Sequence, residues 1–91
     1  MGLPRYPPDG AARWDRGRTI IYASWNGATQ VASWRLLAGS GSTTLLPVGG
    51  GPKVGFETAI VVSRNYQVFR VQALDRRGRV LGTSAPFGIT N

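Results

Sequence analysis

From residue 19 onwards the chain consists of short runs rich in β-branched and aromatic residues, each ended by a cluster of turn residues. The runs cover residues 19–25, 31–38, 43–48, 56–62, 66–75 and 79–84. Short runs at this spacing are typical of two packed antiparallel sheets, and no stretch has a sustained helical period. We therefore expect an all-β fold, a β-sandwich of six to seven antiparallel strands.

The first 17 residues differ in composition, because proline, glycine and charged residues dominate them. Such a segment is typical of a linker, but it can also supply a lead-in edge strand, which would be the seventh. Residues 18–91 are then expected to form the sandwich. The segment also contains Tyr6 and Trp14, and we expect these two aromatic residues to dock onto the sandwich or onto a neighbouring domain.

Alternation within the predicted strands identifies a candidate core. Residues of one phase share a face of the sheet, so the apolar phase should point towards the second sheet. The residues selected in this way are Trp25, Trp34, Leu36, Phe56, Phe69 and Val71. Trp25 and Trp34, expected on adjacent strands, could alternatively form a stacking platform for a sugar or an aromatic ligand, but their inward phase favours the core.

Two expectations concern residues outside this core. Glu57 is in a predicted strand and points away from the core phase, which favours a cross-strand pair with Arg35 or Arg70 over the alternative, an ion pair with a neighbouring domain. Residues 49–53 read Gly-Gly-Gly-Pro-Lys and predict a flexible loop after a weak strand. Because this loop lacks the Gly-Lys-Ser/Thr sequence and a following helix, it is not a phosphate-binding loop.

The residue inventory argues against catalysis. The chain has no His and no Cys, which removes the commonest general base, the commonest metal ligand and any thiolate site. Its four carboxylates are Asp9, Asp15, Glu57 and Asp75, and they are scattered along the sequence. No catalytic residue, metal site or cofactor site is therefore expected, and the chain is not expected to be an enzyme.

The net charge of +7 leaves an anionic partner open. Three arginines, Arg76, Arg77 and Arg79, lie in or beside a predicted hairpin turn closed by Gly78, and they are the candidate anion contacts. Nucleic acid is the less favoured partner, because no exposed aromatic residues are interleaved with these arginines. A free-standing module that binds nucleic acid or a cell-surface polysaccharide remains the alternative function.

Three blocks of the sequence, residues 22–39, 55–60 and 71–84, carry a family resemblance. The first reads Tyr-Ala-Ser-Trp-Asn-Gly-Ala-Thr-Gln-Val-Ala-Ser-Trp-Arg-Leu-Leu-Ala-Gly. In this order the blocks resemble the C-terminal domain of arylsulfotransferase-family proteins. The resemblance implies a fibronectin type III or immunoglobulin-like domain that follows a β-propeller. Because the sulfate-transfer chemistry of that family is expected on a propeller His, it does not carry over to this chain.

The resemblance implies an accessory domain that supports or packs against the propeller of a larger protein. Candidate contacts with that neighbouring domain are Trp14, Asn26, Gly27, Thr29 and Phe87, although Asn26 and Gly27 also have ordinary turn composition. Such a domain should carry an exposed apolar patch, and it should self-associate when isolated.

The location of the protein follows from these two alternatives. An accessory domain of this family would be secreted or at the cell surface within its parent protein, whereas a free-standing binder would be cytoplasmic. The first ten residues lack the apolar core of a signal peptide, so an export signal would have to lie upstream. No apolar stretch is long enough to predict a membrane span.

Overall fold

The computed structural model describes residues 3–41 and 43–90, which form seven antiparallel strands in two sheets and contain no helix. The strands are β1 (Asp9–Asp15), β2 (Arg18–Ser24), β3 (Ser33–Gly39), β4 (Leu46–Pro52), β5 (Glu57–Val62), β6 (Val68–Leu74) and β7 (Val80–Thr83). One sheet has the order β1-β2-β5, and the other has the order β4-β3-β6-β7. The prediction of an all-β sandwich is therefore confirmed.

The N-terminal segment is part of the sandwich from residue 9 onwards. β1 pairs with β2 along its whole length, from Asp9 opposite Ser24 to Asp15 opposite Arg18. The expected boundary between residues 17 and 18 falls within the short turn of this hairpin. Residues 9–15 therefore form the lead-in strand and not a linker.

The core lies between the inner faces of the two sheets. Ile21, Leu36, Phe69 and Val71 are fully buried there. Trp25 and Trp34 are also buried, with 8% and 3% of their surface exposed. Trp25 directly follows β2 and Trp34 lies in β3. Because these strands belong to different sheets, the two tryptophans lie on opposite layers and not on adjacent strands of one sheet.

Phe56 was wrongly placed in the core, since 71% of its surface is exposed. It precedes β5 and lies in a bend, where the Val54 N–H donates a hydrogen bond to Thr58 Oγ1 at 3.0 Å. This turn ends the alternation one residue before Glu57. The phase that correctly buries Thr58 and Ile60 therefore does not extend back to Phe56.

The expected flexible loop at residues 49–53 is also wrong over most of its length. Gly49, Gly50 and Gly51 lie in β4, opposite Leu36, Arg35 and Trp34 of β3. The three glycines have no side chains, so they pair through the backbone, while Val48 of the same strand packs against the core. β4 is an edge strand, and Pro47 and Pro52 are tolerated there because an edge strand leaves some N–H groups outside the ladder.

The pairing of Glu57 with Arg35 or Arg70 is wrong as well. β5 pairs only with β2, and Glu57 lies opposite Ser24. Both arginines belong to the other sheet, where the Arg35 guanidinium donates to the Gln72 amide oxygen at 3.3 Å. Strand phase identified the face of Glu57 correctly, but it did not identify the neighbouring strand.

The C-terminal segment closes one side of the sandwich. Phe87 and Phe69 exchange two backbone hydrogen bonds of 2.9 and 2.8 Å, and their rings stack at a centroid distance of 5.9 Å. The Thr90 N–H then donates to the Ala12 carbonyl of β1 at 3.0 Å. A side chain at Gly10 would collide with the Phe87 ring, so a glycine is required where β1 passes this ring.

Phe69 and Phe56 form a matched pair for testing the core. We expect Phe69→Ala to lower the free energy of unfolding by about 3–5 kcal/mol, because it opens a cavity between the sheets. Phe56→Ala should change it by less than about 0.5 kcal/mol, because little surface is buried there. Urea denaturation of both variants measures the difference, and equal losses would contradict this description of the core.

Candidate functional site

The two buried tryptophans do not form an open stacking platform. The Trp25 indole N–H donates to the Tyr6 carbonyl at 2.9 Å, which fixes the ring beneath the N-terminal segment. Trp34 lies on the inner face of β3, opposite Gly51 and Ala73 of the flanking strands. Both side chains therefore serve the core, as their phase predicted.

Asn26 and Gly27 are contacted by the chain's own N-terminal segment. The Tyr6 hydroxyl donates to the Asn26 carbonyl at 2.7 Å, and Gly27 lies beside Pro4 and Tyr6. The expected docking of Tyr6 is thus found within the domain. These contacts give Asn26 and Gly27 a structural partner that the sequence pattern did not identify.

The remaining candidate contacts are distributed over different parts of the sandwich. Trp14 is 38% exposed and lies near the β1–β2 turn. Phe87 is half-buried in the stack with Phe69, so its ring serves the closure of the sandwich. Thr29 is exposed at the opposite end from Trp14, in the segment between β2 and β3. The structure does not bring these three residues together.

Thr29 instead lies close to the arginines of the β6–β7 hairpin. The two segments form an open groove of about 590 Å³, which we call the loop-end groove. One wall is the segment between β2 and β3, and the other is the hairpin. The lining residues are Thr29, Gln30, Val31, Ala32, Asp75, Arg76, Arg77 and Arg79. The structure thus combines one expected interdomain residue with all three expected anion contacts.

Asp75 holds the hairpin wall of this groove. Its carboxylate accepts hydrogen bonds from the backbone N–H groups of Arg77 and Arg79, both at 2.9 Å, and from Arg79 Nε at 3.0 Å. Gly78 completes the turn with a φ of 80°, which favours glycine. The backbone N–H of Arg79, aided by that of Arg77 and by the Arg79 guanidinium, lowers the pKa of the Asp75 carboxyl below its usual value.

A second surface, which sequence reasoning missed, is the outer face of the β1-β2-β5 sheet. One row across its strands is Ala11, Tyr22 and Ala59, and the next is Arg13, Ile20 and Val61. The five apolar members of these rows form what we call the apolar outer face. Val61 is 55% exposed, and Ile20 and Tyr22 are only half-buried although they lie on the central strand.

The apolar outer face is flanked by opposite charges. The row beyond Ala11 contains Asp9 and Glu57 on either side of Ser24. At the opposite end Arg13 and Arg18 are exposed, and Asp15 lies opposite Arg18. The signal in the sequence was that both phases of residues 19–25 are largely apolar, which predicts a strand covered on two sides.

The described residues contain no cluster of three or more metal-ligating side chains. Residues 3–41 and 43–90 also include no helix long and apolar enough to cross a membrane. No family model, curated protein or solved structure matches the chain.

Asp75→Asn tests the clamp on the hairpin. Because the folded state lowers the pKa of Asp75, its charged form stabilises the fold above the ordinary Asp pKa, and this contribution is lost as the pH falls through the lowered value. We expect the variant to unfold at a lower temperature than the wild type at neutral pH. The difference between the two unfolding temperatures should narrow as the pH falls below 3.8.

Thermal unfolding across pH, followed by circular dichroism, measures this difference. Asp15→Asn is the matched control, since Asp15 lies at the exposed end of β1. An unfolding temperature that differs from the wild type by the same amount at every pH would contradict the assignment of the clamp to the Asp75 charge.

Proposed function

We propose that this chain is a non-catalytic accessory domain, similar to fibronectin type III domains, of a larger arylsulfotransferase-like protein. It packs against the β-propeller of that protein through the apolar outer face of the β1-β2-β5 sheet. This face carries the proposal, because the outer side of a sheet usually has polar residues when it faces solvent. The sequence resemblance supplies the identity of the partner.

The strand order supports the fibronectin type III assignment. In the constant-type immunoglobulin arrangement the fourth strand joins the sheet of the first, second and fifth strands. Here β4 pairs with β3 instead, which gives a three-stranded and a four-stranded sheet. The chain also lacks the two cysteines of an immunoglobulin disulfide.

The composition of the apolar outer face suits a packed interface. Ala11 and Ala59 lie on both sides of Tyr22, so two small side chains flank one large aromatic ring. Tyr is enriched at protein interfaces because its ring buries a large area while its hydroxyl can still find a hydrogen-bond partner. Ile20 and Val61 extend the same surface by one row.

The flanking charges favour one orientation of the partner. Two carboxylates, Asp9 and Glu57, lie at one end of the face. The other end contains Arg13, Arg18 and Asp15, so it keeps a net positive charge. A partner with the opposite arrangement of charges would be attracted, while the reversed orientation would place like charges together. We expect the propeller to present this complementary pattern around an apolar centre.

Because the chain has no His and no Cys, an accessory role suits it better than catalysis of a reaction of its own. The parent protein is secreted or held at the cell surface, in line with the resemblance. An immunoblot of cells and medium should then detect a native polypeptide several times larger than 9.8 kDa outside the cytoplasm. A band of 9.8 kDa inside the cell would contradict the proposal.

Hydroxyl-radical footprinting of Tyr22 tests the interface directly. We expect oxidation of Tyr22, read by mass spectrometry, to be at least about threefold slower in the native polypeptide than in the isolated domain, because a packed partner excludes solvent. Tyr6 is the matched control, since it is exposed near the β2–β3 segment and lies outside the face. Its oxidation should be the same in both samples.

The dependence of Tyr22 oxidation on protein concentration identifies what covers the apolar outer face. Protection of Tyr22 that is independent of concentration in the native polypeptide supports a neighbouring domain of the same chain. Protection that appears in the isolated domain only at high concentration would identify a second copy instead. Equal oxidation of Tyr22 in both samples at every concentration would overturn the proposed interface.

A further inference from the structure

We propose that the loop-end groove binds an anionic polysaccharide, with Arg76 and Arg77 contacting its carboxylate or sulfate groups. This site lies at the end of the sandwich formed by the β2–β3 segment and the β6–β7 hairpin. It does not include the apolar outer face, so the inference goes beyond the proposed function and does not rest on it.

The β6–β7 hairpin carries a surplus of positive charge. It contains three arginines and one aspartate, so its formal charge is +2. Asp75 forms its ion pair with Arg79, which is the one salt bridge within residues 3–41 and 43–90. Arg76 and Arg77 are therefore the surplus cations of the groove, and both are exposed.

Hydrogen bonds within the turn hold the hairpin backbone in place. The Asp75 N–H donates to the Arg79 carbonyl at 2.9 Å, and the Gly78 N–H donates to the Asp75 carbonyl at 3.0 Å. Together with the carboxylate bonds of Asp75, they fix the backbone from which Arg76 and Arg77 project. A preformed loop loses less conformational entropy on binding than a flexible one.

The opposite wall of the groove supplies a neutral polar group. Thr29 is exposed there, and its hydroxyl can hydrogen-bond to sugar hydroxyls. The groove is open to solvent. Guanidinium groups opposite a neutral hydroxyl suit a ligand that carries both anionic groups and hydroxyls.

The residues that line the groove also favour a polysaccharide over nucleic acid as the ligand. Single-stranded nucleic acids gain much of their affinity from bases stacked on aromatic side chains. None of the described residues that line the groove is aromatic. A polymer that relies on charge and hydroxyl contacts therefore suits this lining better than one that relies on stacking.

The test titrates the protein with a heparin hexasaccharide, which carries both carboxylate and sulfate groups, and measures Kd by isothermal calorimetry. Because Arg76 and Arg77 would each lose a charge-assisted contact, we expect the double variant R76Q/R77Q to bind at least about tenfold more weakly than the wild type. It should also show a shallower dependence of affinity on salt.

The matched control is the double variant R16Q/R64Q. It removes the same two charges from the turns at the opposite end of the sandwich, between β1 and β2 and between β5 and β6. We expect its Kd to stay within about twofold of the wild type, because a localised site does not depend on remote charges. Thermal unfolding of both variants checks that each is folded.

Three results would overturn the inference. Equal weakening by both double variants would mean that the net charge of the whole domain attracts the ligand without a site. If the wild type did not measurably bind the hexasaccharide at low salt, the groove would not be a polysaccharide site. Equally tight binding of single-stranded DNA of the same charge, with the same dependence on Arg76 and Arg77, would overturn the choice of polysaccharide.

Discussion

Phe69 occupies the position on which the closure of the sandwich depends. Its side chain is completely buried, and its ring meets Tyr66 edge-on at 6.2 Å and Phe87 in a stack. Its backbone exchanges two hydrogen bonds with Phe87, so one residue joins the core to the C-terminal segment. That segment then reaches β1 of the other sheet, which ties both layers together on this side.

This arrangement explains which surfaces of the sandwich stay uncovered. The inner faces are used by the core, and the C-terminal segment covers the side next to β1. The described residues leave the outer face of the β1-β2-β5 sheet uncovered, and two of its rows contain five apolar residues where a solvated sheet is usually polar. The loop-end groove is a separate surface, because the hairpin that forms it extends from the four-stranded sheet.

Prediction from sequence succeeded where local rules decide the structure. Alternation placed Trp34, Leu36, Phe69 and Val71 correctly, because a strand with one buried face must keep its apolar phase inward. It failed for Phe56, where a turn ends the phase. Glycine composition wrongly predicted a loop at Gly49–Gly51, which pair with β3. Turn composition was ambiguous in the second case, since glycine-rich segments form loops and edge strands alike.

The sequence by itself determined that the chain is all-β, which residues alternate inward, where the hairpin at Asp75 turns, and that His and Cys chemistry is absent. Only the tertiary structure decided which strands become neighbours, and therefore that Glu57 faces Ser24, that Thr29 lies across a groove from Arg77, and that Tyr22 is flanked by two alanines. The physical reason is that the two-residue period of a strand specifies its faces but not its partners. Partners are selected by long-range contacts between the sheets, which no local pattern records.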